Sequence, residues 1–131
     1  MLYTNTTVTE VDLWGSDLST TLLASYLADC LRVNYTIQKL SLRRCGVTGR
    51  VAETLFQQLR HNGALHTLDL SSNRFFNQRG CLMFSSKPGR AALCAYLRHP
   101  RCTLKKLLLK DCNIRNSDLR TLGEALQDNN T

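Results

Sequence analysis

No stretch of this 131-residue chain approaches the roughly 18 to 20 uninterrupted apolar residues that a membrane span requires. Residues 1–7 hold neither a basic segment nor an apolar one of the secretory kind, so the expected compartment is the cytosol. A glycine-rich phosphate loop is missing, as are a paired-carboxylate motif and a serine elbow, and with them the commonest signatures of an enzyme. Lys and Arg are absent from residues 1–31, where Glu10, Asp12, Asp17 and Asp29 give a net charge of −4. The rest of the chain carries all 17 basic residues against six acidic ones, which favours acidic partners toward the C-terminal half.

Six cysteines in a chain of this length would suggest a disulfide framework if a secretion signal accompanied them. In a reducing compartment they are read instead as buried structural thiols. The set Cys81, Cys94, His99 and Cys102 lacks the tight ligand pairs of a zinc site, only His99 and Cys102 being suitably spaced, and no metal or other cofactor is expected. N-x-Thr sequons begin at Asn5, Asn34 and Asn129, and they would matter only in a secreted chain.

What is present is a repeat. Four segments share the form L-x-x-L-x-L, with Val or Ile for some leucines: Val8 to Leu13, Ile37 to Leu42, Leu65 to Leu70 and Leu104 to Leu109. Two of the three intervals match a long repeat class, and the third matches it with an insertion. Alternation at the second and third apolar positions is the mark of a strand with one buried face. Three residues beyond the last apolar position stand Ser16, Cys45, Asn73 and Cys112, where a small polar side chain is expected to turn inward and bond the turn backbone.

Helical spacing follows each turn. Leu22, Leu23, Tyr26, Leu27 and Leu31 form one apolar stripe, and Val51, Leu55, Phe56 and Leu59 a second. Leu93, Cys94 and Leu97 form a third, and Leu119, Leu122 and Leu126 a fourth. Neither element of such a unit can bury its apolar face alone, so stacking is expected to make one continuous core, with strands forming a parallel sheet on the concave side and helices outside.

The pattern L-x-x-L-x-L-x-x-(N/C) at this spacing resembles the ribonuclease-inhibitor-like class of leucine-rich repeat. The stretch from Leu97 to Cys112, LRHPRCTLKKLLLKDC, is similar to the repeat junctions of NOD-like receptors. The resemblance implies an α/β fold: a leucine-rich repeat solenoid of about four repeats, a right-handed β–α superhelix forming a horseshoe segment. It implies a single domain over residues 1–131, with repeats at about 8–36, 37–64, 65–103 and 104–131. Without a P-loop pattern in these residues, the nucleotide-dependent switching of those receptors is not carried over.

Repeat three is interrupted over residues 74–90, where Phe75, Phe76 and Phe84 mix with Arg74, Arg79, Lys87 and Arg90. Such an insertion maps to a surface loop and is either a recognition element or a set of aromatics tucked against the core. Residue 131 falls about where a fifth repeat would begin, and no polar capping segment is apparent. The expectation favours a piece of a longer protein over an end covered by a partner or a second copy.

Side chains between the buried strand positions point to the opposite face and form three columns across the repeats. The first holds Glu10, Lys39, Thr67 and Lys106; the second Asp12, Ser41, Asp69 and Leu108; the third Trp14, Arg43, Ser71 and Lys110. Trp and Arg are the types most enriched in binding hot spots. The expected partner site is therefore Trp14, Asp12, Lys39, Arg43, Asp69, Lys106, Leu108 and Lys110, and the expected function non-enzymatic protein recognition by a scaffold. Nucleic-acid binding through the basic half is the rival, although Trp14 alone among these residues offers a stacking surface. A GTPase-activating or sensor-type regulatory subunit is a third reading, only weakly supported by the acidic first repeat.

Overall fold

The computed structural model describes residues 4–74 and 88–129. Strands β1 (Glu10–Asp12), β2 (Lys39–Ser41), β3 (Thr67–Asp69) and β4 (Lys106–Leu108) alternate with helices α1 (Thr21–Val33), α2 (Gly49–Leu59), α3 (Pro88–Leu97) and α4 (Asn116–Gln127). The strands form one parallel sheet in the order β1-β2-β3-β4, and each helix packs on the next. Most of the interrupted stretch, residues 75–87, lies outside the described residues.

Each strand is three residues long, too short to stand without its helix. Its central residue points into the core: Leu40 and Leu68 are buried completely, Val11 and Leu107 partly. The last apolar position of each segment does the same, with Leu42 and Leu70 buried and Leu13 and Leu109 partly covered. Leu55, Phe56, Leu59, Leu93 and Tyr96 close the core from the helix side, Phe56 stacking on Tyr96 with ring centroids 5.6 Å apart.

Two kinds of turn hold this arrangement, and buried polar groups stitch both. After β3, the Asn73 amide donates to the carbonyls of Leu42 and Leu70 at 2.7 and 2.9 Å and accepts the N–H groups of Cys45 and Val47 at 3.1 and 3.0 Å. The Cys45 thiol donates to the Leu13 carbonyl at 3.0 Å, and that of Cys112 to the Leu70 carbonyl at 3.2 Å. Each of these side chains bonds the preceding unit, as a stack requires. Ser16 differs: it stands exposed, with no preceding unit among the described residues to receive its hydroxyl.

The second turn, from helix to strand, uses an asparagine the sequence reading did not single out. Asn62 donates to the carbonyls of Leu31 and Asn34 and accepts the N–H groups of Ala64 and Leu65. Asn34 donates to the Asn5 carbonyl and accepts from Thr36 and Ile37, while Asn5 accepts from Thr7 and Val8 and Asn129 donates to the Leu97 carbonyl. All three sequon asparagines therefore occupy one position of the stack. Asn34 is 2% exposed, so the folded chain offers no amide there for glycosylation.

The helical stripes need correction at both ends. Leu27, Leu31, Leu55, Phe56, Leu59, Leu93, Leu97 and Leu122 are buried as expected, but Leu22, Leu23, Tyr26, Leu119 and Leu126 are exposed. A stripe is covered only where a neighbouring unit packs against it, and α1 and α4 each have a single neighbour among the described helices.

Candidate partner-binding face

The register of the sheet converts sequence positions into columns. Glu10 pairs with Lys39, Lys39 with Thr67 and Thr67 with Lys106; Asp12, Ser41, Asp69 and Leu108 align in the same way. These residues flank the inward leucines and so share the face away from the helices. Lys39 reaches Glu10 at 2.5 Å, an exposed pair across the first column. A groove of about 290 Å³ runs over the middle of the face between Glu10, Asp12, Lys39, Ser41, Thr67 and Asp69.

The third column is built beyond the strand ends. Gly15 N–H donates to the Arg43 carbonyl at 3.0 Å, Arg44 N–H to Ser71 at 3.0 Å and Ser72 N–H to Lys110 at 2.7 Å, which keeps Trp14, Arg43, Ser71 and Lys110 in step. The next residue of each unit, Gly15, Arg44, Ser72 or Asp111, has a positive φ between 56° and 73° that turns the chain off the sheet. Trp14 is left 59% exposed beside an exposed Arg43.

Three residues behave otherwise than the columns suggest. Ser71 is buried, its hydroxyl accepting the Lys110 N–H at 3.2 Å, so it contributes no contact surface. Asp12 and Asp69 each accept the N–H two residues on, from Trp14 at 3.0 Å and Ser71 at 2.8 Å. Such aspartate turns fix the backbone that presents the third column, and Asp69 is half-buried while doing so. Lys106, Leu108 and Lys110 stand on the exposed face of the last unit with Lys105 nearby. The face thus runs from Glu10, Asp12 and Trp14 to a basic edge.

No group of three His, Cys, Asp or Glu side chains comes together among the described residues. Cys81 lies outside them. His99 accepts the Arg101 N–H at 3.3 Å, and Cys102 is buried. Burial pushes the thiols of Cys45, Cys94 and Cys112 up from their ordinary value, opposite to what a nucleophile requires. No described helix is long and apolar enough to cross a membrane.

No protein-family model matches the chain. It is 34% identical over 104 residues to human NACHT, LRR and PYD domains-containing protein 5, a match covering 79% of this chain and 8% of that protein. Against mouse ribonuclease inhibitor it is 32% identical over 91 residues, 70% of this chain and 18% of that protein. The chain belongs to the ribonuclease-inhibitor-like leucine-rich repeats. It spans a small part of the relatives it matches; mouse NACHT, LRR and PYD domains-containing protein 12 aligns over 96% of these residues at 28% identity, yet the match takes in 11% of that protein. Among solved structures, leiomodin-1 actin-binding site 2 superposes with a TM-score of 0.59 at 19% identity, covering 98% of this chain and 84% of that one. The Caenorhabditis elegans tropomodulin C-terminal domain gives 0.54 at 15%, covering 95% and 86%. At these identities the structures speak to the fold alone, an α/β repeat with a parallel sheet.

Proposed function

We propose that this leucine-rich repeat chain is a non-enzymatic protein-recognition scaffold, a single domain over residues 1–131 wound as a right-handed β–α solenoid, with its sheet lining the concave side of a horseshoe segment. The partner sits on that concave face, against Trp14, Arg43, Lys39, Lys106, Leu108 and Lys110, with Asp12 and Asp69 supporting the backbone that presents them. One observation carries this reading: Trp14 and Arg43 stand exposed in adjacent positions of a hydrogen-bonded ladder, a rigid platform for the two residue types that most often dominate binding energy. The basic last repeat favours a partner with an acidic surface there. Free Cys30, Cys45, Cys94, Cys102 and Cys112 are consistent with a reducing, cytosolic setting. The name of leiomodin-1's actin-binding site belongs to that protein, and the shared fold brings no partner with it.

Affinity capture from a native extract with the wild-type chain and with Trp14→Ala/Arg43→Ala tests the proposal, each run with and without nuclease and at raised salt. A protein that survives nuclease and is lost with the double variant is the expected result. Capture abolished by nuclease or by modest salt would move the function to nucleic acid, because phosphate contacts release counterions.

A further inference from the structure

We infer that the occupant of the proposed face is an α-helix of the partner, lying across the strands, with a basic ridge over Asp12 and Asp69 and acidic side chains toward Arg43 and Lys110. The inference rests on the recognition face proposed above and names what fits it.

The three columns of that face differ in charge, and each runs as a stripe across the strands. Asp12, Ser41 and Asp69 make the middle stripe acidic. Arg43 and Lys110 make the third stripe basic, with Ser71 buried between them. In the first stripe Lys39 and Glu10 satisfy each other, which leaves Lys106 as its excess charge. None of Asp12, Asp69, Arg43, Lys106 and Lys110 enters an ion pair among the described residues. Asp12 and Asp69 each use Oδ1 to accept the N–H two residues on, which fixes the carboxylate and leaves Oδ2 without a donor among the described residues. The groove of about 290 Å³ takes its lining from β1, β2 and β3, so it too crosses the strands. Repeats stacked beyond either end of these residues would lengthen the stripes without covering them.

Spacing selects a helix. Neighbouring strands lie about 4.8 Å apart, so Asp12 and Asp69 are offset by about 10 Å along their stripe. Two turns of α-helix advance about 11 Å, which brings side chains roughly seven residues apart over both carboxylates. An extended segment laid the same way repeats its side chains about every 7 Å, and so meets one carboxylate and misses the other by about 3 Å or more. Laid along the strands, it meets each stripe once. A helix about 10 Å across with its side chains covers the middle stripe and reaches the flanks, which lie about 7 Å to either side. Charge then sets which side chains the helix presents: arginine or lysine over the middle stripe, aspartate or glutamate on the side facing Arg43 and Lys110. Matching of this kind selects a partner more than it adds affinity.

Fluorescence titration at low ionic strength tests this, Trp14 being the chain's one tryptophan and 59% exposed at the end of the third stripe. The probes are synthetic alanine-based helices of about 20 residues. One carries an arginine ridge flanked by glutamates, a second has the two signs exchanged, and a third is the first with a central proline that breaks the helix. The arginine-ridged helix should bind about tenfold more tightly than either of the others. Asp12→Asn/Asp69→Asn, which keeps an oxygen for each turn, should abolish that preference. Ser41→Lys sets a cation in the middle stripe without touching either turn, and should shift the preference to the glutamate-ridged helix. Equal binding of the two helices overturns the inference, as does binding of none of the probes or equally tight binding of the proline-broken one. The proposed face stands or falls separately, on whether capture is lost with Trp14→Ala/Arg43→Ala.

Discussion

Asparagine earns its place in this chain by having both a donor and an acceptor on one short side chain. A turn that leaves two carbonyls facing inward and two N–H groups beside them is satisfied by a single buried amide, and Asn73 makes all of those bonds at once. Alanine at that position would leave several buried backbone groups without partners, at a cost of about 3 kcal/mol or more. Urea denaturation of Asn73→Ala should show a midpoint lowered accordingly with little change in slope, and Asn62→Ala, which empties the corresponding site at the other turn, should behave alike. Arg44 presents the opposite situation. It holds φ at +56°, a region that disfavours any residue with a Cβ, and its side chain is exposed. Arg44→Gly should therefore stabilise the chain by about 1 kcal/mol and raise its melting temperature by roughly 3 °C, the relief of left-handed strain exceeding glycine's added unfolded-state entropy. A lower melting temperature would mean that the Arg44 side chain holds the turn by contacts that outweigh its backbone.

At the scale of the element, two ion pairs join α3 and its flank to α4, and their surroundings separate them. Arg90 meets Asp118 at 2.9 Å with the Asp118 side chain completely buried, and Asp118 also accepts the Arg115 N–H at 2.9 Å to cap the start of α4. Arg98 meets Asp128 at 2.8 Å with both side chains largely in water. Removing a buried partner leaves a charge poorly solvated and costs about 3 kcal/mol, toward the low end of the usual range here because Arg90 retains some access to solvent. Asp118→Ala should thus lower the denaturation midpoint strongly and Asp128→Ala scarcely at all, a contrast one pair of melting curves would reveal. Elements also mark the limit of what the sequence disclosed. The strands, their register and the inward Cys45, Asn73 and Cys112 were legible because L-x-x-L-x-L and the residue three beyond it recur in phase. The exposed Leu22, Leu23, Tyr26, Leu119 and Leu126 were not, since helical spacing marks an apolar stripe without saying whether a neighbour covers it. The asparagine turns at Asn5, Asn34 and Asn129 were hidden behind their resemblance to sequons, and the left-handed positions behind Arg44, Ser72 and Asp111, where a glycine would have signalled them. On the candidate face, Trp14, Arg43 and Lys110 were legible as outward side chains, but Ser71 was not, because its hydroxyl is claimed by the backbone of the next repeat.

Across the whole molecule, a chain of repeats that touch only their neighbours has no single uniform stability. The inner repeats are clamped on two sides, whereas the last is clamped on one among the described residues, so opening should begin at the ends. Cysteine thiols placed along the stack report this directly. Cys45 and Cys112 occupy equivalent turn positions and are both buried, and burial raises the pKa of each, so neither reacts while its repeat is closed. Cys45 is locked further by the Asn73 amide, which accepts its N–H from the following repeat. Under native conditions at mild pH, a thiol reagent should therefore modify Cys112 faster than Cys45, and Cys45 at a rate set by global unfolding. The pH dependence has a definite sign. Below about pH 8 the thiols are largely protonated in both states; as pH rises through the ordinary thiol value the unfolded chain loses thiol protons that the folded chain retains, so stability falls until the raised folded-state values are passed. Labelling of Cys45 should accelerate there more steeply than its thiolate fraction in a short peptide, and substitution of Cys45, Cys94 and Cys112 by alanine should flatten that alkaline loss. Equal labelling rates for Cys45 and Cys112 would instead show that the four repeats open as one unit, with the exposed leucines of the last repeat too well supported by α3 to let it fray.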